Sequence, residues 1–324
     1  MAQAKGVMGQ LLLCEIPESA YGVAPSSVYS VKLPFNSCGL TATRNMIDPG
    51  TIVGRRDPSA PIQGRINASG PVVVPVDKTA IGYWLELVFG NAVTTWTGSA
   101  KQHVFKPNSV LNSYQTEKGF TDIGQYEKFT GIKANGMSIK VGGDEEVAMS
   151  VDLVGKEAVP NTSSAFASPT TLVLTRFTQY DAQLQEGGAA IDGKVRELEI
   201  KVANNLDEGG FLISSGTGAA TRGIMNEGFC QVTGRLSMMF ENASYYLRAL
   251  SGTERSLQLD FRSGSFALQF RVPELIFERF SPGIESPEGI WADLPFRGYF
   301  SAGSEAVIQA TLINTYAAYS GHAA

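Results

Sequence analysis

Histidine is nearly missing from this chain: His103 and His322 are the only two in 324 residues. A Ser-His-Asp or Cys-His site needs a histidine held between nucleophile and carboxylate. His322 falls in a tail of small residues, and His103 in KQHVFKP reads as an ordinary surface or strand-edge position, so that chemistry is not expected. HExxH, GxSxG and the GK[ST] ending of a phosphate loop are all lacking, and the glycine-rich ISSGTGAATRG (213–223) reads as a loop. Cysteine is scarce too. Cys14, Cys38 and Cys230 lie far apart with no CxxC, which argues against a disulfide framework or a zinc site and suits a chain made in a reducing cytoplasm. Long apolar runs are lacking as well: the patch near the start is too short for a signal peptide, and nothing approaches the roughly 20 residues of a membrane span. Neither cofactor nor membrane is expected.

Charge is also sparse, at 18% of residues against 43% hydrophobic, a composition found where much surface is hidden in an assembly. The net −5 is uneven: residues 1–160 hold 14 basic and 14 acidic side chains, residues 161–324 hold 12 and 17. There is no basic footprint of the kind that grips nucleic acid through phosphates. The acidic run Asp144, Glu145, Glu146 falls on a predicted hairpin turn, where clustered acids are ordinarily solvated. Trp84, Trp96 and Trp291 are spaced too irregularly for a base-stacking platform and read as packing residues.

What the chain does have is alternation. MSIKV (137–141), EVAMSVDLVG (146–155), VRELEIKVA (195–203), SLQLDF (256–261) and FALQFRV (266–272) place apolar residues at every second position, the mark of strands with one buried face. The 35 glycines and 15 prolines spread along the chain suit short strands joined by turns. Two segments differ. Residues 78–89 carry Ile81, Trp84, Leu85 and Val88 at helical spacing, with Asp77 as cap and Gly90 as stop. Residues 242–251 repeat this with Tyr246, Leu247 and Leu250 on one face and Gly252 as stop. Between them AVPNTSSAFASPTT (158–171) reads as a linker.

Five blocks then line up in order between the halves: NMIDPG (45–50) with NNLDEG (204–209), SGPVVVPVD (69–77) with TGRLSMMFE (233–241), Gly90 with Gly252, MSIKV (137–141) with ELIFE (274–278), and VAMSVDLVG (147–155) with IWADLPFRG (290–298). This predicts an internal duplication: domain one over 1–157, a linker over 158–171 and domain two over 172–324.

ESAYGVAP (18–25) resembles the E-[ST]-x-YG-x-x-P signature of siphophage tail-tube proteins, and FTGIK (129–133) and SVDLVGK (150–156) are similar to that family's later motifs. The resemblance covers nearly all of the first half and, through the duplication, most of the second. It implies a mainly β fold of two tandem tail-tube-type β-sandwich or barrel domains, each with one flanking helix, and a structural, non-enzymatic role in the virion tail. Partners would be further copies of the chain, arranged as trimeric rings of pseudo-sixfold shape stacked into a tube, together with a tape-measure protein, a tail terminator and distal tail proteins. DNA would pass through the lumen without specific binding. The second half lacks YG-x-x-P and carries a longer connection, FSPGIESPEG (280–289). Another ring-forming tail protein, such as the terminator or distal hub, or a receptor- or carbohydrate-binding β-sandwich, stays open as an alternative. The proline-rich loop 47–61, with Arg55 and Arg56, is expected to project and meet acids such as Asp144, Glu145 and Glu146 on a neighbour. Lys140, Ser150, Asp152, Glu278 and Asp293, on the polar sides of the late hairpin strands 132–154 and 266–297, are the candidates for a lumen wall.

Overall fold

Strand accounts for 48% of the chain and helix for 8%. The computed structural model describes residues 3–98, 100–191, 193–212, 221–284, 287–301 and 303–319. In the first half the elements are β1 (Gly9–Cys14), β2 (Ser30–Lys32), β3 (Ser37–Cys38), β4 (Thr41–Ile47), β5 (Ile62–Pro75), α1 (Ile81–Phe89), β6 (Val93–Thr97), β7 (Ala100–Phe105), β8 (Tyr114–Phe120), β9 (Gln125–Val141), β10 (Ala148–Gly155) and β11 (Glu157–Asn161). The second half adds β12 (Thr170–Thr171), β13 (Ala182–Glu186), β14 (Ala189–Ala190), β15 (Val195–Ala203), β16 (Gln231–Met239), α2 (Ser244–Ser251), β17 (Arg255–Ser263), β18 (Phe266–Phe277), β19 (Trp291–Gly298) and β20 (Gln309–Asn314).

Strand β9 is long enough to serve two sheets. Its first part pairs with β8 and β11, its second with β10, and β10 continues to β5 and β4. Gly131 sits at the changeover with φ 66°, where a side chain would run into Lys156 and the Tyr21 ring. The orders are therefore β4–β5–β10–β9 and β1–β8–β9–β11. The second half repeats them with its own strands: β15–β16–β19–β18 and β13–β17–β18–β20, with β18 as the shared strand.

Register can be compared between the halves. Ala68 stands opposite Gly155, and Val232 opposite Gly298, so the blocks at 69–77/233–241 and 147–155/290–298 stay in step. The block MSIKV/ELIFE does not. Gly298 faces Leu275, whereas Gly155 packs on Ile132, which puts Leu275 where Ile132 stands and not where Ser138 does. The counterpart of 137–141 falls past the end of β18, where Pro282 interrupts the alternation; similar apolar spacing in ELIFE masked the slip.

Two features tie the halves together. The hairpin β6–β7, inserted after α1, crosses over to pair with β20. The free edge of β9 is taken by β15, Gly136–Val141 running against Leu198–Ala203. The first sheets of both halves thus become one sheet in the order β4–β5–β10–β9–β15–β16–β19–β18. Part of the expected linker is strand: Val159 to Asn161 in β11 pair with Tyr126 to Lys128, and β12 runs parallel to β2. Its sequence looked linker-like because an edge strand needs few apolar residues.

One face of the joined sheet is apolar. Val72, Val151, Ile139, Ile200, Leu236 and Leu294 are buried on successive strands, each such side chain worth roughly 1.5–3 kcal/mol on leaving water. Helix α1 follows β5. The N-cap position is Ala80 and not the expected Asp77, whose carboxylate three residues earlier accepts from the backbone N–H of Ala80 (2.9 Å) and Ile81 (2.7 Å); Gly90 at φ 92° ends the helix. A one-sided stripe was expected, but all nine α1 residues are buried. In α2, Tyr245, Tyr246 and Ala249 lie against the core while Leu247 and Leu250 face out, so the expected grouping of Tyr246, Leu247 and Leu250 is split.

Candidate functional site: a polar sheet face and its two open edges

The other face of the joined sheet is polar. Following partners across the ladders, Ser150 stands opposite Ser138, Lys140 opposite Glu199, Glu199 opposite Arg235, and Ser237 opposite Asp293. Asp152, two residues from Ser150, shares that side. Glu278, just past β18, donates its N–H to the Pro295 carbonyl and ion-pairs with Arg297. The structure therefore brings Lys140, Ser150, Asp152, Glu278 and Asp293 together on one side of one sheet.

Sequence reasoning missed the rest of this surface: Glu197, Glu199, Lys201, Arg235 and Arg297. The signal was present, since Glu197, Glu199 and Lys201 are the polar alternates of VRELEIKVA. Cations and acids neutralise each other here. Lys140 (3.0 Å) and Arg235 (3.0 Å) both reach Glu197, Arg235 also reaches Asp293 (3.4 Å), and Lys201 reaches Glu199 (2.9 Å). The Lys140 hydrogen bond, helped by Arg235, holds the Glu197 carboxyl below the usual carboxylate range. Exposed pairs of this kind add little stability, about 0–1 kcal/mol each. Their effect is on the field of the face, which shows no run of one sign.

The sheet has two open edges. Among the described residues no strand pairs with the outer side of β4, and beyond Glu278, whose N–H still reaches the Pro295 carbonyl, no strand continues β18 along β19. From the first edge projects the loop between β4 and β5, in which Arg55 and Arg56 are exposed. Asp144, Glu145 and Glu146 sit exposed at the β9–β10 turn. Among the described residues no ion pair joins them to either arginine; Glu146 pairs with Arg176 and accepts from Asn36 (3.1 Å).

His103 is wholly buried in β7, not at the surface, with its ring between Thr94 Oγ1 (2.9 Å) and Asn314 Oδ1 (3.1 Å) and edge-on to Tyr319. Burial pushes its pKa down. The sequence disguised this because Lys101, Gln102 and Lys106 surround it. His322 and most of ISSGTGAATRG lie outside the described residues. Burial raises the thiols of Cys14, Cys38 and Cys230, which are free. Among the described residues no cluster of three or more His, Cys, Asp or Glu could hold a metal, and no helix is long and apolar enough to cross a membrane.

A search of curated proteins returns no match. A family model described as "Phage tail tube protein" matches residues 6–298. With nine-tenths of the chain matched, and a mainly β fold carrying a self-neutralised sheet face between open edges, the protein belongs to the phage tail tube protein family.

Proposed function

We propose that this chain is the main tube subunit of a long-tailed phage, a structural protein whose two halves, 1–157 and 172–324, act as tandem tube domains. Three copies close a ring of six similar units, and stacked rings form the conduit for DNA. The observation that carries this reading is the single sheet running through both halves with an open edge at each end. Contacts between unlike edges generate rings when the rotation closes, and closure leaves no edge to aggregate. The polar face then lines the lumen. Every lysine and arginine described there has an acid neighbour, so a passing phosphate backbone meets few free cations and is not held. Tape-measure, terminator and distal tail proteins are the expected further partners.

Electron microscopy of the purified protein tests this: rings or tubes with six-lobed symmetry are expected, and a predominantly basic inner wall or an unassembled monomer at all concentrations overturns it. Loop 47–61 is proposed to contact the acids 144–146 of a neighbouring subunit or ring through Arg55 and Arg56. Replacing both arginines by glutamate should shorten or abolish tubes and spare the monomer's unfolding temperature; unchanged tubes would remove this contact.

A further inference from the structure

Three stretches singled out in the sequence, ESAYGVAP, FTGIK and SVDLVGK, lie far apart along the chain and meet at one place. The Glu18 carboxylate accepts from the N–H of Gly22 (2.7 Å), the hydroxyl of Ser113 (2.6 Å) and the N–H of Gly131 (2.9 Å). The Lys156 N–H donates to the Thr130 carbonyl (2.9 Å), and its side chain passes so close to Gly22 that a Cβ there would lie 2.3 Å from Cδ. The Tyr21 ring closes on Gly131, the glycine at the changeover of β9. Hydrogen bonds to a carboxylate are of the stronger kind. Three of them tie the turn at 18–23, the residue before β8 and the bend of β9 into one unit.

What this unit holds is the other half. Tyr21 packs on a small cluster in which Leu111 and Val154 meet Leu206 and Met225 from the β15–β16 connection. Lys133 donates to the Met225 carbonyl (3.1 Å) and pairs with Glu227 (2.6 Å), which also accepts from the Leu111 N–H (3.0 Å). Arg222, only 2% exposed, donates to the Gly155 carbonyl (2.6 Å) and to Asn67. Leu111, Lys133 and Val154 each stand two residues from a braced position: Ser113, Gly131 and Lys156. The second half repeats none of this. Where the turn follows β1, β13 is followed directly by Gly187, Gly188 and β14.

Resting on the tandem-unit reading above, we infer that the three motifs form one socket for the β15–β16 connection, in which Glu18 and Tyr21 are positioning residues that set the angle between the two tube units. The partner it fits is a segment presenting a buried arginine, two apolar side chains and a glutamate, and here the same chain supplies it. A ring of six similar units closes only if the angle inside each chain is held as firmly as that between chains.

Hydrogen exchange on the full chain tests the socket. Glu18→Gln keeps the size of the side chain but offers one acceptor oxygen, so a backbone N–H or the Ser113 hydroxyl faces an NH2 group. Exchange at the Leu111 and Leu206 amides should rise roughly tenfold, as an unpaired buried donor allows, while the β16–β19 ladder keeps the parent's rates. Tyr21→Phe should exchange as the parent does, because the Tyr21 hydroxyl is buried without a partner among the described residues. Equal acceleration in the β16–β19 ladder would make Glu18 an ordinary stabilising group and overturn the inference; so would an unchanged junction. If Glu18→Gln does not fold, Tyr21→Ala and Leu206→Ala, singly and together, decide it: their effects on junction exchange should depart from additivity by roughly fivefold, and additive effects overturn the socket. Electron microscopy then tests the angle. Fewer closed rings are expected from a chain with an open junction, and rings as complete as the parent's would overturn the geometric role. A parent that forms no rings overturns the tandem-unit reading and the geometric role with it, while exchange still decides whether the socket holds the halves.

Discussion

Helices α1 and α2 occupy the same place in the two halves, after β5 and after β16, and each ends on a glycine at positive φ. Their surroundings differ entirely. On α1, the Tyr83 hydroxyl meets Tyr316 (2.6 Å) and Glu15 (3.1 Å), the Tyr319 ring presses on Gly82, and Glu86 accepts from the Tyr114 hydroxyl (3.1 Å). On α2, Tyr245 rests edge-on to Phe277, Arg248 reaches Glu186 (3.1 Å), and the outer leucines touch water. Equivalent position does not give equivalent burial. Part of what covers α1, beside Glu15, Tyr114 and β9 of its own half, comes from far along the chain: the residues past β20, and Asn204 reaching back from the other half.

The comparison can be broken most severely at α1. Trp84→Ala removes a fully buried ring and should cost about 3–5 kcal/mol, whereas Tyr246→Ala on half-buried α2 should cost well under half of that; denaturant unfolding of both variants measures the difference, and equal losses would mean the two helices are packed alike. Next comes Glu86. Burial raises its carboxyl to about 8, the Tyr114 hydrogen bond opposing the shift. An unfolded glutamate titrates near 4.3, so between roughly pH 4.5 and 8 the folded chain holds the extra proton and stability falls as pH rises. Glu86→Gln should flatten that slope in thermal unfolding scans, and a slope that persists would assign it elsewhere. The smallest expected effect is Leu247→Ser, within about 0.5 kcal/mol for the monomer because the side chain is already solvated; a large loss would show that α2 is covered within one chain.

Much of this fold was legible where alternation is strict. MSVDLV and VRELEI announce one buried and one polar face, and the polar face is where the candidate wall residues gather. The block MSIKV/ELIFE misled because apolar spacing repeats every second residue in any strand, and a slipped match looks as good as a true one. His103 and the outer leucines of α2 were misjudged for a shared reason: burial depends on partners distant in sequence, which Asn314 and Tyr319 supply for the histidine and which leave Leu247 60% exposed among the described residues. The joining of the two sheets through β9 and β15 was invisible too, since both strands read as ordinary half-buried strands.

The closing of α1 by Tyr316 and Tyr319, with β7 waiting for β20, also has a temporal side. As the chain emerges in order from the ribosome, the first half can pair its own strands. The side of its helix that Tyr316 and Tyr319 cover stays bare, and the outer edge of β7 stays unsatisfied, until more than two hundred further residues have been made. These late, far-separated contacts fuse the halves into one cooperative folding unit and slow its completion. Until the last strands arrive, the nascent chain shows chaperones an apolar helix that the finished protein hides.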